Sequence, residues 1–157
     1  MELPKQPKRK INRLLEYDYS KHGAYFITIC TIDKVCIFGK IADEDKSTRP
    51  QIILSETGQI VKNTIIQFMT KYEGICIDKH VVMPNHIHLI ISINGENAPT
   101  ISIIIKQFKE HITKQIGKSV WQKSFYDHVI RDQKDYDKIW KYIDTNPDKW
   151  QYDKYFI

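Results

Sequence analysis

The stretch that decides the fold is Met83-Pro84-Asn85-His86-Ile87-His88-Leu89-Ile90, and its pattern continues to Ile93. Apolar residues alternate along it as in a β-strand, where every second side chain lies on the same face. One face of this strand is apolar throughout and must be buried: Ile87, Leu89, Ile91 and Ile93. His86 and His88 lie together on the opposite face, about 6–7 Å apart at Cα.

Two imidazoles at this spacing are able to bind one metal ion between them. The alternative interpretation is a pair of histidines that are exposed, or singly hydrogen-bonded, on the surface of a sheet. The His-x-His pair alone does not decide between these two interpretations.

The rest of the chain predicts the order β-α-β-β-α-β-α, with an extra hairpin after the first strand. Strands are expected at 24–31, 75–83, 85–93 and 124–131, helices at 57–72, 100–116 and 135–145, and the hairpin at 35–41 and 51–54 around a loop at 43–48. This order is typical of the ferredoxin-like split βαβ plan, an α+β fold with an antiparallel sheet. A chain of 157 residues is expected to form one domain, 1–157, that begins with a basic arm at 1–13.

The chain is basic, and its positive charge is unevenly distributed. It has 24 Lys and Arg residues against 19 Asp and Glu residues, a net charge of +5. Residues 1–15 hold five basic residues and one acidic residue, and residues 100–118 hold four lysines and one glutamate. Clustered positive charge favours a polyanionic partner such as nucleic acid. The alternative is a solvated tail and a solvated helix face.

Cysteine usage and hydropathy predict a reduced, cytoplasmic protein that does not enter membranes. Cys30, Cys36 and Cys76 are odd in number and lack the spacing of metal ligands. No apolar run approaches the roughly 18 residues of a membrane span.

The last predicted helix carries two polar side chains that are candidates for a site. Its apolar stripe, which we expect to dock it, consists of Tyr136, Ile139, Trp140 and Ile143. Tyr142 and Asn146 are four residues apart and share the adjacent face. If this helix lies across the sheet face that carries the two histidines, all four polar side chains meet. The alternative is a surface tyrosine and an asparagine at the end of a helix.

Two segments together resemble a known family: VVMPNHIHLII at 81–91, and VWQKSFYDHVIRDQKDYDKIWKYIDTNPDKW at 120–150. They resemble the single-tyrosine HUH transposases of the IS200/IS605 type, and most closely the branch of REP-associated tyrosine transposases. The resemblance extends over roughly residues 18–152. It implies an HUH endonuclease domain followed by a C-terminal helix that carries the tyrosine.

The resemblance also implies the chemistry. Tyr142 corresponds to the nucleophile, and His86, His88 and Asn146 correspond to the ligands of Mg²⁺ or Mn²⁺. IS200-type members carry glutamine at the position of Asn146. Imidazole ligands by themselves suit Zn²⁺, Ni²⁺ or Cu²⁺ better, so the choice of metal rests on the resemblance alone.

The implied activity is metal-dependent cleavage and strand transfer of single-stranded DNA through a 5′-phosphotyrosine, in DNA transposition or related hairpin processing. The partner is then single-stranded or hairpin DNA, and the candidate contacts are Lys106, Lys109, Lys114, His128 and Arg131. His128 and Arg131 are equally suited to holding the last strand against a helix. A homodimer also remains open, because IS200-type relatives work as dimers and the REP-associated branch can work as monomers.

Other side chains have two interpretations. His80 is able to lie near the site or to have a structural role. Trp121, Phe125 and Tyr126 are able to stack on bases or to pack in the core.

Two rival functions remain at this point. One is a domesticated DNA-hairpin-binding protein without cleavage activity. The other is an unrelated metal hydrolase, which would use the two histidines and would not need Tyr142.

Overall fold

A computed structural model of the chain describes residues 22–42, 49–95 and 97–157. The predicted basic arm at 1–13 and the hairpin loop at 43–48 lie outside these residues. In chain order the elements are β1 (His22–Cys30), β2 (Gly39–Ala42), β3 (Gln51–Leu54), α1 (Glu56–Phe68), β4 (Ile75–Met83), β5 (His86–Asn94), α2 (Ile101–Ile116), β6 (Tyr126–Ile130) and α3 (Gln133–Asp144). Short 3₁₀ helices follow β1 at Ile32–Lys34 and α3 at Pro147–Tyr152.

The main sheet has four strands in the order β4-β5-β1-β6. Every neighbouring pair in it is antiparallel. This order of strands confirms the predicted α+β, ferredoxin-like plan. The strands β2 and β3 form a separate antiparallel hairpin, as predicted.

The alternation along β5 divides the sheet into two faces, each covered by helices. Ile87, Leu89 and Ile91 pack with the apolar stripes of α1 and α2 in the larger core. On the opposite face Ile90 packs under α3 with Ile139 and Ile143. The helix α3 therefore lies across the same face that carries His86 and His88.

A two-residue turn places His86 at the beginning of β5. Met83 pairs directly with His86, so Pro84 and Asn85 form the whole connection between β4 and β5. The backbone carbonyls of this turn are bonded: Thr31 N donates to Asn85 O at 3.0 Å, and Phe38 N donates to Pro84 O at 2.9 Å. These bonds hold the turn before β5 against the end of β1 and against the segment that precedes β2.

The strand predicted at 35–41 begins only at Gly39. The backbone before it bonds to turns instead of a neighbouring strand, since Val35 N donates to Ile32 O at 3.2 Å and Ile37 N to Val35 O at 2.9 Å. Gly58 of α1 lies so close to this segment that a Cβ there would be 1.9 Å from Phe38 O. The backbone conformation of residues 35–38 therefore depends on contact with α1 as well as on the β propensity of their side chains.

Capping side chains determine where the helices begin. The hydroxyl of Ser55 accepts a bond from Gly58 N at 3.0 Å, and the carboxylate of Asp132 accepts one from Asp135 N at 2.7 Å. The helix predicted at 57–72 ends at Phe68, because the chain turns tightly before Gly74, whose φ is +80°. The helix predicted at 135–145 begins earlier, at Gln133, because Asp132 caps its N-terminus.

Across the described ranges, every helix is too short or too polar to cross a membrane.

Candidate active site

His86 and His88 are almost completely buried, with 0% and 1% of their surfaces exposed. Their Nε2 atoms face each other at 3.1 Å. The interpretation as exposed surface histidines is therefore wrong, since α3 and the chain after it cover both rings. Two ligand atoms on adjacent positions of an octahedral ion, with bonds of about 2.1 Å, lie about 3.0 Å apart. The spacing of the two nitrogens fits this arrangement.

Asn85 determines the protonation of His86. The Nδ2 group of Asn85 donates to Lys34 O at 3.0 Å and to Tyr155 O at 2.7 Å. Because both amide hydrogens are used, Oδ1 of Asn85 accepts a hydrogen bond from His86 Nδ1–H, at 2.8 Å. His86 Nε2 is then unprotonated and directed at His88. Partners that orient a ligating histidine through its other nitrogen are typical of metal sites.

His88 is oriented in the same way by β1. Its Nδ1 lies 2.8 Å from Thr28 Oγ1, with which it is paired across the sheet. The tautomer that donates from Nδ1 to this hydroxyl leaves Nε2 free to bind a metal.

Both histidines are neutral in this environment. Burial lowers the pKa of each imidazole, and the neighbouring His86 lowers the pKa of His88 further. The Asp153 carboxylate acts in the opposite direction on the pKa of His86 but does not outweigh burial. Neutral imidazole is the form that binds metal ions.

Asn146 lies in the same site, and its amide oxygen has no hydrogen-bond partner. The residue is 3% exposed, and Oδ1 is buried without a donor. Its Nδ2 group donates to Asp153 Oδ2 at 2.9 Å. Asn146 precedes the 3₁₀ helix but makes no side-chain capping bond there. An unpaired buried carbonyl oxygen costs about 1–3 kcal/mol, and a bound cation would remove this cost.

Asp153 is a further candidate metal ligand, which the sequence did not predict. Its carboxylate Oδ2 lies 3.9 Å from His86 Nε2, and ligand atoms of His86, His88 and Asp153 lie within 4.8 Å of one another. The 3₁₀ helix turns the chain back over the site, and Tyr155 N donates to Asp153 Oδ1 at 2.9 Å. No periodic pattern marks a residue that a turn brings back, so the only available signal was an acidic residue shortly after Asn146.

Tyr142 lies beside the two histidines of its own chain. Its ring centroid is 5.3 Å from that of His88 and 6.0 Å from that of Phe26. The side chain is 40% exposed, so DNA is able to reach it. Burial raises the pKa of Tyr142 and the Asp153 carboxylate raises it further, while the Asn146 amide offsets part of this rise. The hydroxyl is therefore protonated at neutral pH.

An open groove of about 570 Å³ leads to Tyr142, and we call it the tyrosine groove. Aromatic and basic side chains make up most of its lining. Its lining includes Phe26, Tyr126, His128, Asp135, Lys138, Tyr142, Asn146, Lys149, Tyr152, Asp153 and Lys154. Lysines with exposed aromatic rings are typical of surfaces that bind single-stranded nucleic acid.

The structure divides the candidate DNA contacts between the two sides of the molecule. His128 pairs with Phe26 across the sheet and therefore lies on the face of the histidines. Lys106 and Lys114 are exposed on α2, which covers the opposite face. Lys109 donates to the carbonyl of Gln122 at 2.7 Å, so it also has a structural role on that side. Arg131 is exposed just after β6.

The structure also shows where the four residues lie that had both a functional and a structural interpretation. His80 pairs with Leu89 and so belongs to the face away from the site. Trp121 is 4% exposed in the larger core, and Phe125 packs against that core. Tyr126 is 54% exposed in the tyrosine groove, so it is the one of these aromatics that is available for stacking.

Comparisons with known proteins show which family the chain is related to. A putative REP-associated tyrosine transposase of Haemophilus influenzae is 30% identical over 150 residues, which cover 86% of this chain and 76% of the relative. The chain belongs to the family of REP-associated tyrosine transposases. The REP-associated tyrosine transposase of Escherichia coli K12 is 28% identical over 132 residues, covering 83% of this chain and 70% of that protein. No protein-family model matches the chain.

A solved structure of a REP-associated tyrosine transposase bound to a REP hairpin has the same fold. It matches with a TM-score of 0.63 and 26% identity, covering 92% of this chain and 77% of that one. The sequence of a relative thus shows the family, and a solved structure shows the fold.

Proposed function

We propose that this member of the REP-associated tyrosine transposases is a metal-dependent endonuclease and strand transferase for single-stranded or hairpin DNA. Tyr142 is the nucleophile, and the product of the first step is a 5′-phosphotyrosine. The observation that carries the proposal is the position of Tyr142. Its ring centroid lies 5.3 Å from that of His88, and the Nε2 atoms of His88 and His86 face each other. The hairpin partner is proposed from the structural relative, which binds a REP hairpin.

Four side chains are proposed to hold the metal: His86, His88, Asn146 and Asp153. Two nitrogens and two oxygens, one of them anionic, form a donor set that suits Mn²⁺ and also accommodates Mg²⁺. When bound, the divalent cation polarises the scissile phosphate and stabilises the negative charge that develops on it. The unpaired oxygen of Asn146 supports a cation in this place.

The remaining chemistry belongs to Tyr142 and its surroundings. The tyrosine oxygen attacks phosphorus, and the 3′-oxygen of the preceding nucleotide leaves, so that DNA becomes linked to the enzyme through its 5′-phosphate. A second 3′-hydroxyl is able to reverse this step and so joins a different strand. Phe26 and His88 flank the Tyr142 ring and hold it in place.

A single experiment separates this proposal from its rivals. The protein is incubated with labelled hairpin DNA carrying single-stranded tails, in Mn²⁺, and the products are run on a denaturing gel. A covalent adduct is expected. Binding without an adduct would favour the domesticated hairpin-binding protein, and hydrolysis without an adduct would favour the unrelated metal hydrolase.

Asp153→Asn is expected to weaken Mn²⁺ binding and cleavage together. The substitution keeps the shape of the side chain and its bond from Tyr155 N, but removes the negative charge 3.9 Å from His86 Nε2. We expect a loss of Mn²⁺ affinity of at least about 10-fold, measured by calorimetry. Asp148→Asn is the control, because Asp148 is an exposed residue of the 3₁₀ helix that precedes Asp153 and pairs with Arg49. Equal affinities for the two variants would remove Asp153 from the metal site.

Asn146→Ala is expected to reduce Mn²⁺ affinity and adduct formation because it removes the unpaired oxygen. Asn146→Gln retains an amide oxygen on a chain one methylene longer and is expected to keep part of the activity. Since Asn146 makes no capping bond, the Asn146→Ala variant should lose about 1 kcal/mol of unfolding free energy with the bond to Asp153. Removal of the unpaired oxygen should offset part of the further cost of the cavity that alanine leaves. Full activity of this variant at low Mn²⁺ would contradict the role of Asn146 as a ligand.

DNA binding is expected to prefer hairpins or single strands over plain duplex and to weaken as salt rises. Deleting residues 1–13, which hold Lys5, Lys8, Arg9, Lys10 and Arg13, should flatten the slope of log affinity against log salt by up to about 3.5, at roughly 0.7 per lost phosphate contact. An unchanged slope would show that the arm does not contact DNA.

The same measurement tests the two faces of the molecule separately. Replacing Lys138, Lys149 and Lys154 of the tyrosine groove by Gln should flatten the slope by about 2. Replacing Lys106 and Lys114 should flatten it by about 1.4 only if the DNA continues around the sheet to α2.

A further inference from the structure

A histidine and a carboxylate form a bonded pair on the wall of the tyrosine groove, apart from the metal site. His128 Nε2 lies 2.8 Å from Asp135 Oδ2, and the two side chains are 42% and 30% exposed. His128 is on β6 and Asp135 is in the first turn of α3, so the pair also joins the strand to the helix that carries Tyr142.

The pair lies close to the place where the reaction would occur. His128 is directly opposite Phe26 in the sheet, and the Phe26 ring is 6.0 Å from the Tyr142 ring. All three side chains line the tyrosine groove. A nucleotide whose phosphate reaches Tyr142 would therefore extend along the wall that His128 occupies.

The proposed reaction needs a proton donor that the metal site does not contain. An alcohol leaves poorly as its anion, so the 3′-oxygen must gain a proton as its bond to phosphorus breaks. His86 and His88 are buried and directed at each other, and the proposed function uses the facing nitrogens to hold the metal. Lysines line the groove as well, but an imidazole is the group whose ordinary pKa of about 6.5 suits proton transfer near neutral pH.

We propose that His128 is the general acid that protonates the 3′-oxygen, and that Asp135 is its positioning residue. Asp135 accepts the Nε2–H bond and thereby directs Nδ1 into the groove, in the way that a carboxylate orients the histidine of other acid–base pairs. This inference rests on the proposed function, since it assigns a role within the same reaction.

The bond from Tyr142 Oη to phosphorus forms, and the bond from phosphorus to the 3′-oxygen breaks. The Tyr142 proton passes to water in the open groove, and the Nδ1 proton of His128 passes to the 3′-oxygen. In strand transfer the direction reverses, so neutral His128 removes the proton of the incoming 3′-hydroxyl.

Sulfur substitution provides a direct test. The hairpin DNA that the unaltered protein cleaves in Mn²⁺ is first mapped by the length of the released fragment with a 3′-hydroxyl. The same oligonucleotide is then made with sulfur in place of the bridging 3′-oxygen at that bond. A thiol has a pKa of about 8.5, so the sulfur leaves as a thiolate without a proton.

His128→Gln is expected to slow cleavage of the oxygen substrate by at least about 100-fold and to cleave the sulfur substrate at nearly the rate of the unaltered protein. Asp135→Asn should show a smaller loss that sulfur also restores. Asp127→Asn is the control, because Asp127 is exposed and pairs with Ile27 on the opposite sheet face. Thermal unfolding and metal-free hairpin binding, measured by fluorescence anisotropy, verify that each variant is folded and binds DNA.

Equal slowing of His128→Gln on both substrates, or no slowing on the oxygen substrate, overturns the role of His128 while the proposed function stands. If His128→Gln does not fold, the Asp135→Asn variant decides by the same comparison. Absence of an adduct with the unaltered protein would remove the proposed function, and this inference with it.

Discussion

Tyr142→Phe is expected to abolish the covalent DNA adduct and all cleavage, while hairpin affinity stays nearly unchanged. Phenylalanine keeps the ring that packs 5.3 Å from His88 and 6.0 Å from Phe26, and removes only the hydroxyl. Without this oxygen there is no nucleophile to bind phosphorus. The measurement is a denaturing gel for the adduct, together with fluorescence anisotropy for hairpin binding.

Tyr72→Phe is the matched control for this experiment. Its hydroxyl is buried without a hydrogen-bond partner, and its ring contacts Phe68 of α1 on the opposite side of the sheet. Removing this hydroxyl should leave adduct formation intact and should not lower stability. A covalent adduct that persists in Tyr142→Phe would show that another residue is the nucleophile.

His86→Ala and His88→Ala are each expected to reduce Mn²⁺ affinity by at least about 100-fold and to suppress cleavage. Each removes one of the two nitrogens that face each other at 3.1 Å. Calorimetry with Mn²⁺ measures the loss, and hairpin binding without metal should persist. Unchanged Mn²⁺ affinity in both variants would remove the metal site from the proposal.

The stability of these two variants needs its own measurement. The sequence predicted that both rings point away from the apolar core, which is true, but both are buried beneath α3 and the C-terminal residues. Each alanine therefore leaves a cavity and is expected to cost a few kcal/mol of unfolding free energy. His80→Ala is the control for metal binding, since His80 is half-buried on the opposite face and should leave Mn²⁺ affinity unchanged.

Much of the architecture was predictable because it depends on short-range periodicity. The two-residue alternation of β5 identified its buried face, and the helical spacing of Tyr136, Ile139 and Ile143 identified the docking face of α3. Trp140, which was predicted in the same stripe, is 37% exposed at its edge. Element boundaries were less accurate. They depend on caps such as Ser55 and Asp132 and on the close approach of Gly58 to Phe38, which are contacts of single atoms and not of patterns.

By itself, the sequence determined that His86 and His88 share one face of a strand and that Tyr142 and Asn146 share one face of a helix. Both statements follow from backbone geometry, which is the same in every strand and every helix. The tertiary structure alone decided that these two faces meet, and that Asn85 directs the proton of His86 away from the site.

The tertiary structure alone also brought Asp153 to the histidines and Asp135 to His128. The physical reason is that these contacts arise where the chain reverses, after a two-residue turn, a helix or a strand. Direction after a turn depends on the packing of the whole chain, and no local repeat in the sequence records it.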